Sequence, residues 1–288
     1  TMSSNPAAEI TAIEKRAQRI ETPCGEGNMV WRTWGEGDPL VLLHGGSGTW
    51  RHWLRNITEL SQHYRLLVPD MPGLGESAMP EEETPAGAAL PLRWGLEALL
   101  GPDRRYHLAG FSFGANVGGQ LAAMEGTHIR SYTAVGAASL GLPRPPLDLL
   151  KVRDKEGEAR REAHRENLAR LMIHKRELID ETALEVQEFN TRHARLRSRG
   201  FASSAMLRDA LMQAKAPLAG IWGERDAVAW PDVQARLDVL RGGAGNDVLD
   251  GGAGVDTVLL PMFPNVFSLN ETSPSQVSGS YVGYSLNL

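Results

Sequence analysis

Five residues, Gly110-Phe111-Ser112-Phe113-Gly114, constrain this chain more than any others. They follow an apolar run ending Tyr106-His107-Leu108-Ala109 and precede a small-residue helical stretch from Ala115 to Glu125. A strand that enters a helix through so short a turn needs glycine at both flanks, because a side chain two residues from the serine would collide with the turn. Such a turn lifts the Ser112 hydroxyl out of a sheet, where it can attack a bound group.

The rest of the chain supplies that sheet. Pro39 to Leu43 reads as a short buried strand running into the glycine loop His44-Gly45-Gly46-Ser47-Gly48, and Tyr64 to Pro69 as a second strand. Helical spacing over Trp50 to His63 and over Leu90 to Leu100 separates these from the strand before Ser112, and Ser131 to Val135 and Leu218 to Trp222 add two more strands. Short buried strands alternating with helices predict an α/β fold, a mostly parallel sheet with helices on both faces. From Leu142 to about Met212 the rhythm changes: Pro143, Pro145 and Pro146 break the chain, and a charge-dense helical region is expected from Leu149. Leu168, Leu171 and Met172 form one apolar stripe and Ile179, Ala183 and Val186 another, with Thr182 and Glu185 spaced as a capping box. An insertion after the strand ending at Val135 would sit over the carboxyl end of the sheet, where it can cover the Ser112 turn.

His44-Gly45-Gly46, the run Asp70-Met71-Pro72-Gly73-Leu74-Gly75-Glu76-Ser77, the Ser112 turn and Gly223-Glu224-Arg225-Asp226 occur here in one order. In that order and context the chain, over roughly residues 25–241, resembles the α/β-hydrolase superfamily, and within it the lidded esterases, C–C-bond hydrolases and proline iminopeptidases. The resemblance implies an α/β-hydrolase fold with a helical lid over 141–212, between core segments 1–140 and 213–241. It implies Ser112 as nucleophile, the backbone N–H groups of Gly46 and Phe113 as an oxyanion hole, and Asp226 as the acid that orients an imidazole. A helix cap is the competing role for Asp226, which comes shortly before a helix expected from Pro231. By the same likeness His44 braces its loop by hydrogen bonds, while His107, on the strand, reads as a core histidine.

No histidine follows His193 in the sequence, so the base that the resemblance places after Asp226 is missing. His164, His174 and His193 in the insertion are the candidate substitutes. In place of a last strand and a histidine loop stand two nonapeptides, Gly242 to Asp250 and Gly251 to Leu259, followed by a polar tail over 260–288. The pattern G-G-x-G-x-D-x-U-x over 242–259 resembles the calcium-binding repeats of RTX proteins, which are usually secreted. Asp247 and Asp256 would offer carboxylate oxygens to calcium, but two copies make about one coil where stable stacking takes roughly three repeats or more, so only weak binding is expected. The fold is therefore expected to end in a truncated or altered C-terminal strand and helix.

Composition narrows the partners. A net charge of -5 argues against nucleic acid or an anionic membrane as a partner. One cysteine, Cys24, rules out an internal disulfide, and no apolar stretch reaches membrane-spanning length. A cytoplasmic protein is expected, with secretion left open by the RTX-like tail. The expected activity is carboxylic ester hydrolysis on a small-molecule substrate, with no cofactor required, calcium confined to the repeats, and self-association through the altered C-terminus as an open alternative. Two other functions remain open: a pseudo-hydrolase that binds a small acyl ligand, and a calcium-responsive interaction module.

Overall fold

The computed structural model describes residues 5–223 and 226–241. In chain order its elements are α1 (Pro6–Glu14), β1 (Gln18–Cys24), β2 (Gly27–Trp34), β3 (Pro39–Leu43), α2 (Leu54–Leu60), β4 (Arg65–Pro69), α3 (Pro85–Leu100) and β5 (Tyr106–Phe111). Then come α4 (Phe113–Glu125), β6 (Ile129–Val135), α5 (Gly157–Leu171), α6 (Glu181–Arg192), α7 (Met206–Leu211), β7 (Leu218–Ile221) and α8 (Val233–Arg241). The strands form one seven-stranded sheet in the order β1-β2-β4-β3-β5-β6-β7. The β1–β2 hairpin and the β2–β4 pair are antiparallel, and every pairing from β4 onward is parallel.

Alternation along the strands divides the core in two, as a period of two requires. Val41 and Leu43 of β3 pack with Leu92 and Leu96 of α3, Val117 and Leu121 of α4, and Leu237 and Leu240 of α8. Leu40 and Leu42 face the other way, against Trp50, Trp53, Ile57 and Leu60, with Ile10 of α1 beside them. Burial on both faces is why these strands read as unbroken apolar runs.

The order β4-β3-β5 makes β3 the strand from which the chain goes first to one side and then to the other. Loops leaving the carboxyl ends of β3 and β5 diverge there and leave a crevice, the usual place for a ligand in such a sheet. The Gly45–Gly46 loop and Ser112 are on those two loops.

Three sequence expectations are corrected. The first helix of the 141–212 segment begins at Gly157 and not near Leu149. Residues up to there run as an irregular strap whose backbone is bonded by side chains: Asn167 takes both Leu150 N–H and Leu150 O, at 2.7 and 2.9 Å. The cap of α6 is Asp180, whose carboxylate accepts the Ala183 N–H at 2.9 Å, while the Thr182 hydroxyl instead donates to Glu9 at 2.8 Å. Helix α3 starts at Pro85, five residues before Leu90, with Thr84 accepting the Gly87 N–H at 2.9 Å. Among the described residues no helix is long and apolar enough to cross a membrane. The nonapeptides with Asp247 and Asp256, and the tail, lie outside the described residues.

Candidate active site

The turn at Ser112 has the expected geometry. Ser112 sits at φ 52°, between the end of β5 and the start of α4, with its own N–H donating to Val135 O at 2.8 Å. Both flanking glycines are required by close approach. A Cβ on Gly110 would lie 2.6 Å from the Gly114 carbonyl carbon, and one on Gly114 would lie 2.6 Å from Leu43 O and closer still to His44 O. The helix start is thus pressed against the end of β3, which brings Phe113 beside the glycine loop: a Cβ on Gly46 would stand 3.5 Å from Phe113 Cβ. Gly46 and Phe113 are neighbours across the crevice, as a shared oxyanion site needs.

The glycine loop is held from two sides by imidazoles. His44 is wholly buried; its Nδ1 donates to Gly45 O and its Nε2 accepts the Met71 N–H, each at 2.9 Å. Both nitrogens are engaged and burial lowers its pKa to about 4, so His44 is a brace and not a base. His52, which the sequence reading passed over, accepts the Gly45 N–H on Nδ1 at 3.1 Å. That contact leaves its proton on Nε2, and burial, then the neighbouring His44, push its pKa down to about 3. His107 is the expected core histidine, 2.7 Å from Ser131 Oγ.

Asp226 accepts the Val228 and Ala229 N–H groups on one oxygen, at 2.8 and 3.1 Å. Its other oxygen faces β6, where a Cβ on Gly136 would lie 3.4 Å away. Burial raises its pKa against the pull of those two N–H groups. The cap-like bonding and the cavity position that the sequence offered as alternatives coexist in this one carboxylate. Arg236 holds the same loop from below, donating to Val228 O at 3.1 Å and to Pro143 O at 2.8 Å.

A cavity of about 290 Å³ gathers these groups, with Gly46, Ser112, Phe113, His52 and Asp226 on its floor. Its other wall comes from the segment between β6 and β7: Leu149, Leu150, Leu168, Leu171 and Met172, with His164, Gln187, Thr191 and Ser198. Ser198 stands directly over the glycine loop, where a Cβ on Gly46 would run into its hydroxyl. Of the three candidate bases, only His164 lines this cavity. His174 is exposed, and His193 stacks on Phe189 with its Nδ1 2.7 Å from Phe189 O. The carboxylate that meets His164 is Glu188 of α6, 2.7 Å from Nε2, and not Asp226. Glu188 was another residue passed over, since nothing local ties it to a histidine 24 positions away.

Residues 38–237 match the family described as alpha/beta hydrolase fold, well over half of the chain. The chain belongs to that family. A second match, to the RTX calcium-binding nonapeptide repeat, covers residues 236–259, so it begins within α8 (Val233–Arg241) and overlaps the end of the hydrolase match. Among relatives, the pimeloyl-[acyl-carrier protein] methyl ester esterase of Aeromonas salmonicida is 34% identical over 112 residues, which are 38% of this chain and 42% of that one. A monoacylglycerol lipase of Xenopus laevis is 32% identical over 127 residues, 42% of this chain and 37% of that one. In both cases the chain spans less than half of the relative's length. The hydrolase fold itself is shared with the solved naproxen esterase of Bacillus subtilis, at a TM-score of 0.66 and 17% identity, covering 84% of this chain and 86% of that one.

Among the described residues of this hydrolase-fold chain, no group of three or more His, Cys, Asp or Glu side chains is gathered as a metal site.

Proposed function

We propose that the chain is a serine hydrolase of small carboxylic esters, acting through an acyl-enzyme on Ser112, at a rate held down by the want of an imidazole coupled to Asp226. The observation that supports this reading is the convergence of Ser112, at φ 52°, with Gly46, Phe113 and Asp226 on one cavity. The Ser112 oxygen would attack the ester carbonyl carbon, and the resulting oxyanion would take the N–H groups of Phe113 and Gly46. The C–O bond to the alcohol then breaks, the alcohol leaves with a proton, and water hydrolyses the acyl-serine. The segment over 141–212 serves as a lid, and its leucines with Met172 suit a partly apolar acyl or alcohol group.

The weak step is removal of the serine proton, because an alcohol is a poor nucleophile near neutral pH without a base. His52 carries its ring proton on the free nitrogen, and His164 is oriented by the lid's own Glu188. An oxyanion hole and binding alone sustain on the order of 10³-fold over water.

The experiment is hydrolysis of p-nitrophenyl butyrate together with labelling by a fluorophosphonate, each with a Ser112→Ala control. Slow turnover and labelling that both vanish in the control support the esterase. Binding of the ester with neither labelling nor turnover would replace it with the pseudo-hydrolase.

A further inference from the structure

The single turn Arg199–Phe201, late in the 141–212 segment, lies over both residues of the oxyanion site. Ser198, which starts it, sets its hydroxyl against Gly46, so close that a Cβ there would collide with the oxygen. Phe201, which ends it, stacks on the Phe113 ring, with centroids 6.3 Å apart and planes 27° from parallel. The same Cβ on Gly46 would stand 3.5 Å from Phe113 Cβ. The Ser198 oxygen thus meets Gly46 and Phe113 at one place, and all three residues line the cavity.

The hydroxyl is directed away from its own turn. A serine that starts a helical turn ordinarily accepts an N–H of that turn. Ser198 holds this position, and its side chain makes no such bond. Ser198 is half-buried and faces the cavity, so a bound ligand is what its O–H can reach.

The core fixes where that donor stands. Ser139, after β6, holds the turn by two bonds: its hydroxyl donates to Phe201 O at 2.8 Å and its N–H to Ala202 O at 3.0 Å. Asn116 donates to the same Ser139 hydroxyl at 3.1 Å, and Asn116 belongs to α4, the helix that Ser112 opens. A chain of bonds therefore ties the turn to the nucleophile's own helix. A donor held in this way needs no reorganisation when charge develops, which is the condition for lowering a barrier.

We infer that Ser198 is a catalytic residue, its hydroxyl being a third hydrogen-bond donor to the ester carbonyl oxygen beside the N–H groups of Gly46 and Phe113. The inference rests on reading this cavity as an ester site. As the Ser112 oxygen bonds to the carbonyl carbon, the π pair moves onto the carbonyl oxygen, and Ser198 donates to the charge that appears there. The Ser198 O–H bond stays intact, and the donation weakens again when the carbonyl re-forms and the alcohol leaves. Ser139 acts through Ser198 as a positioning residue. On this reading the segment above the sheet supplies part of the chemistry as well as a cover.

The test is turnover of p-nitrophenyl butyrate by the unsubstituted protein and by Ser198→Ala, with Ser112→Ala as the blank. Ser198→Ala should lower kcat about 10- to 100-fold, at the lower edge of what losing one oxyanion donor costs, because the hydroxyl is half-exposed. Binding of the ester, read by calorimetry in a Ser112→Ala background, should be the same with and without Ser198→Ala, since the carbonyl carries little charge before attack. Inhibition by 1,1,1-trifluorohexan-2-one, whose adduct with Ser112 bears the oxyanion, should weaken about 10-fold or more in Ser198→Ala. Thermal melts of the two proteins should coincide. An unchanged kcat, unchanged inhibition by the ketone, or a fall in kcat matched by an equal loss of ester binding overturns the inference. The two readings fail separately: Ser112-dependent turnover that Ser198→Ala leaves unchanged removes this inference and keeps the esterase, whereas no Ser112-dependent turnover removes both.

Discussion

Acid should loosen this protein through His44. In the folded chain His44 is neutral, with Nε2 accepting the Met71 N–H at 2.9 Å, and protonation would set a donor against a donor. Burial takes its pKa from 6.5 to about 4. The unfolded chain therefore binds this proton first as pH falls. The stabilising contribution is complete above 6.5, fades between 6.5 and 4, and changes no further once both states are protonated. Integrating over the interval from about pH 8 to pH 5 gives a loss of about 2 kcal/mol from this one ring, out of about 3.4 kcal/mol for the whole shift. Urea unfolding followed by circular dichroism at a series of pH values measures it. The contrast is His44→Asn, which lacks a group that titrates there. The variant should be less stable at pH 8 yet lose about 2 kcal/mol less than the parent on going to about pH 5. Depressed imidazoles at His107 and His164 add to both curves alike, and His52, lowered chiefly by burial and only secondarily by His44, stays depressed in the variant, so the difference is set chiefly by His44. Parallel pH curves for the two proteins would refute the neutral, doubly bonded His44.

Gly114→Ala should prevent folding or cost several kcal/mol in thermal melts, because its Cβ meets backbone oxygens of Leu43 and His44 that cannot move aside; Gly101→Ala, with open space around it but at φ 87° and ψ 175°, a region essentially confined to glycine, should cost about 1–3 kcal/mol. Asp226→Asn should leave ester turnover within a few-fold of the parent, since the amide oxygen can still accept from Val228 and Ala229 and no imidazole depends on the charge. A fall of about 10⁴-fold in kcat would instead show a working relay. Calcium titration should give weak binding or none, since two nonapeptides supply about one coil; submicromolar binding lost in Asp247→Ala and Asp256→Ala together would contradict that.

The parts of this fold that could be read from the sequence are those fixed by neighbours along the chain. The Ser112 turn is decided by its own two glycines, and β3, β4, β5 and β7 announce themselves because burial on both faces forces apolar runs. Asp226 was visible for the same reason, following directly on the strand that ends near Trp222. What escaped was set by partners far away. The strap before α5 imitated a helix because its backbone is satisfied by Asn167, seventeen residues on. Thr182 looked like a cap, but Glu9 claims its hydroxyl. His52 sat in a helical pattern with nothing to mark its bond to Gly45, and Glu188 read as one more solvated charge in an arginine-rich segment. Pairings across space of this kind leave no periodicity to find.

The backbone at Ser112 also bears on how such a chain can change over time. At φ 52° a residue with a Cβ is held in a conformation that costs about 1–3 kcal/mol, whereas glycine adopts it freely. Substitution to glycine there would relax the turn. A lineage indifferent to the hydroxyl would meet a standing thermodynamic incentive to shed it, because stability is the quantity most mutations erode. On the proposed esterase reading, use of its oxygen is what holds a serine at this position against that drift.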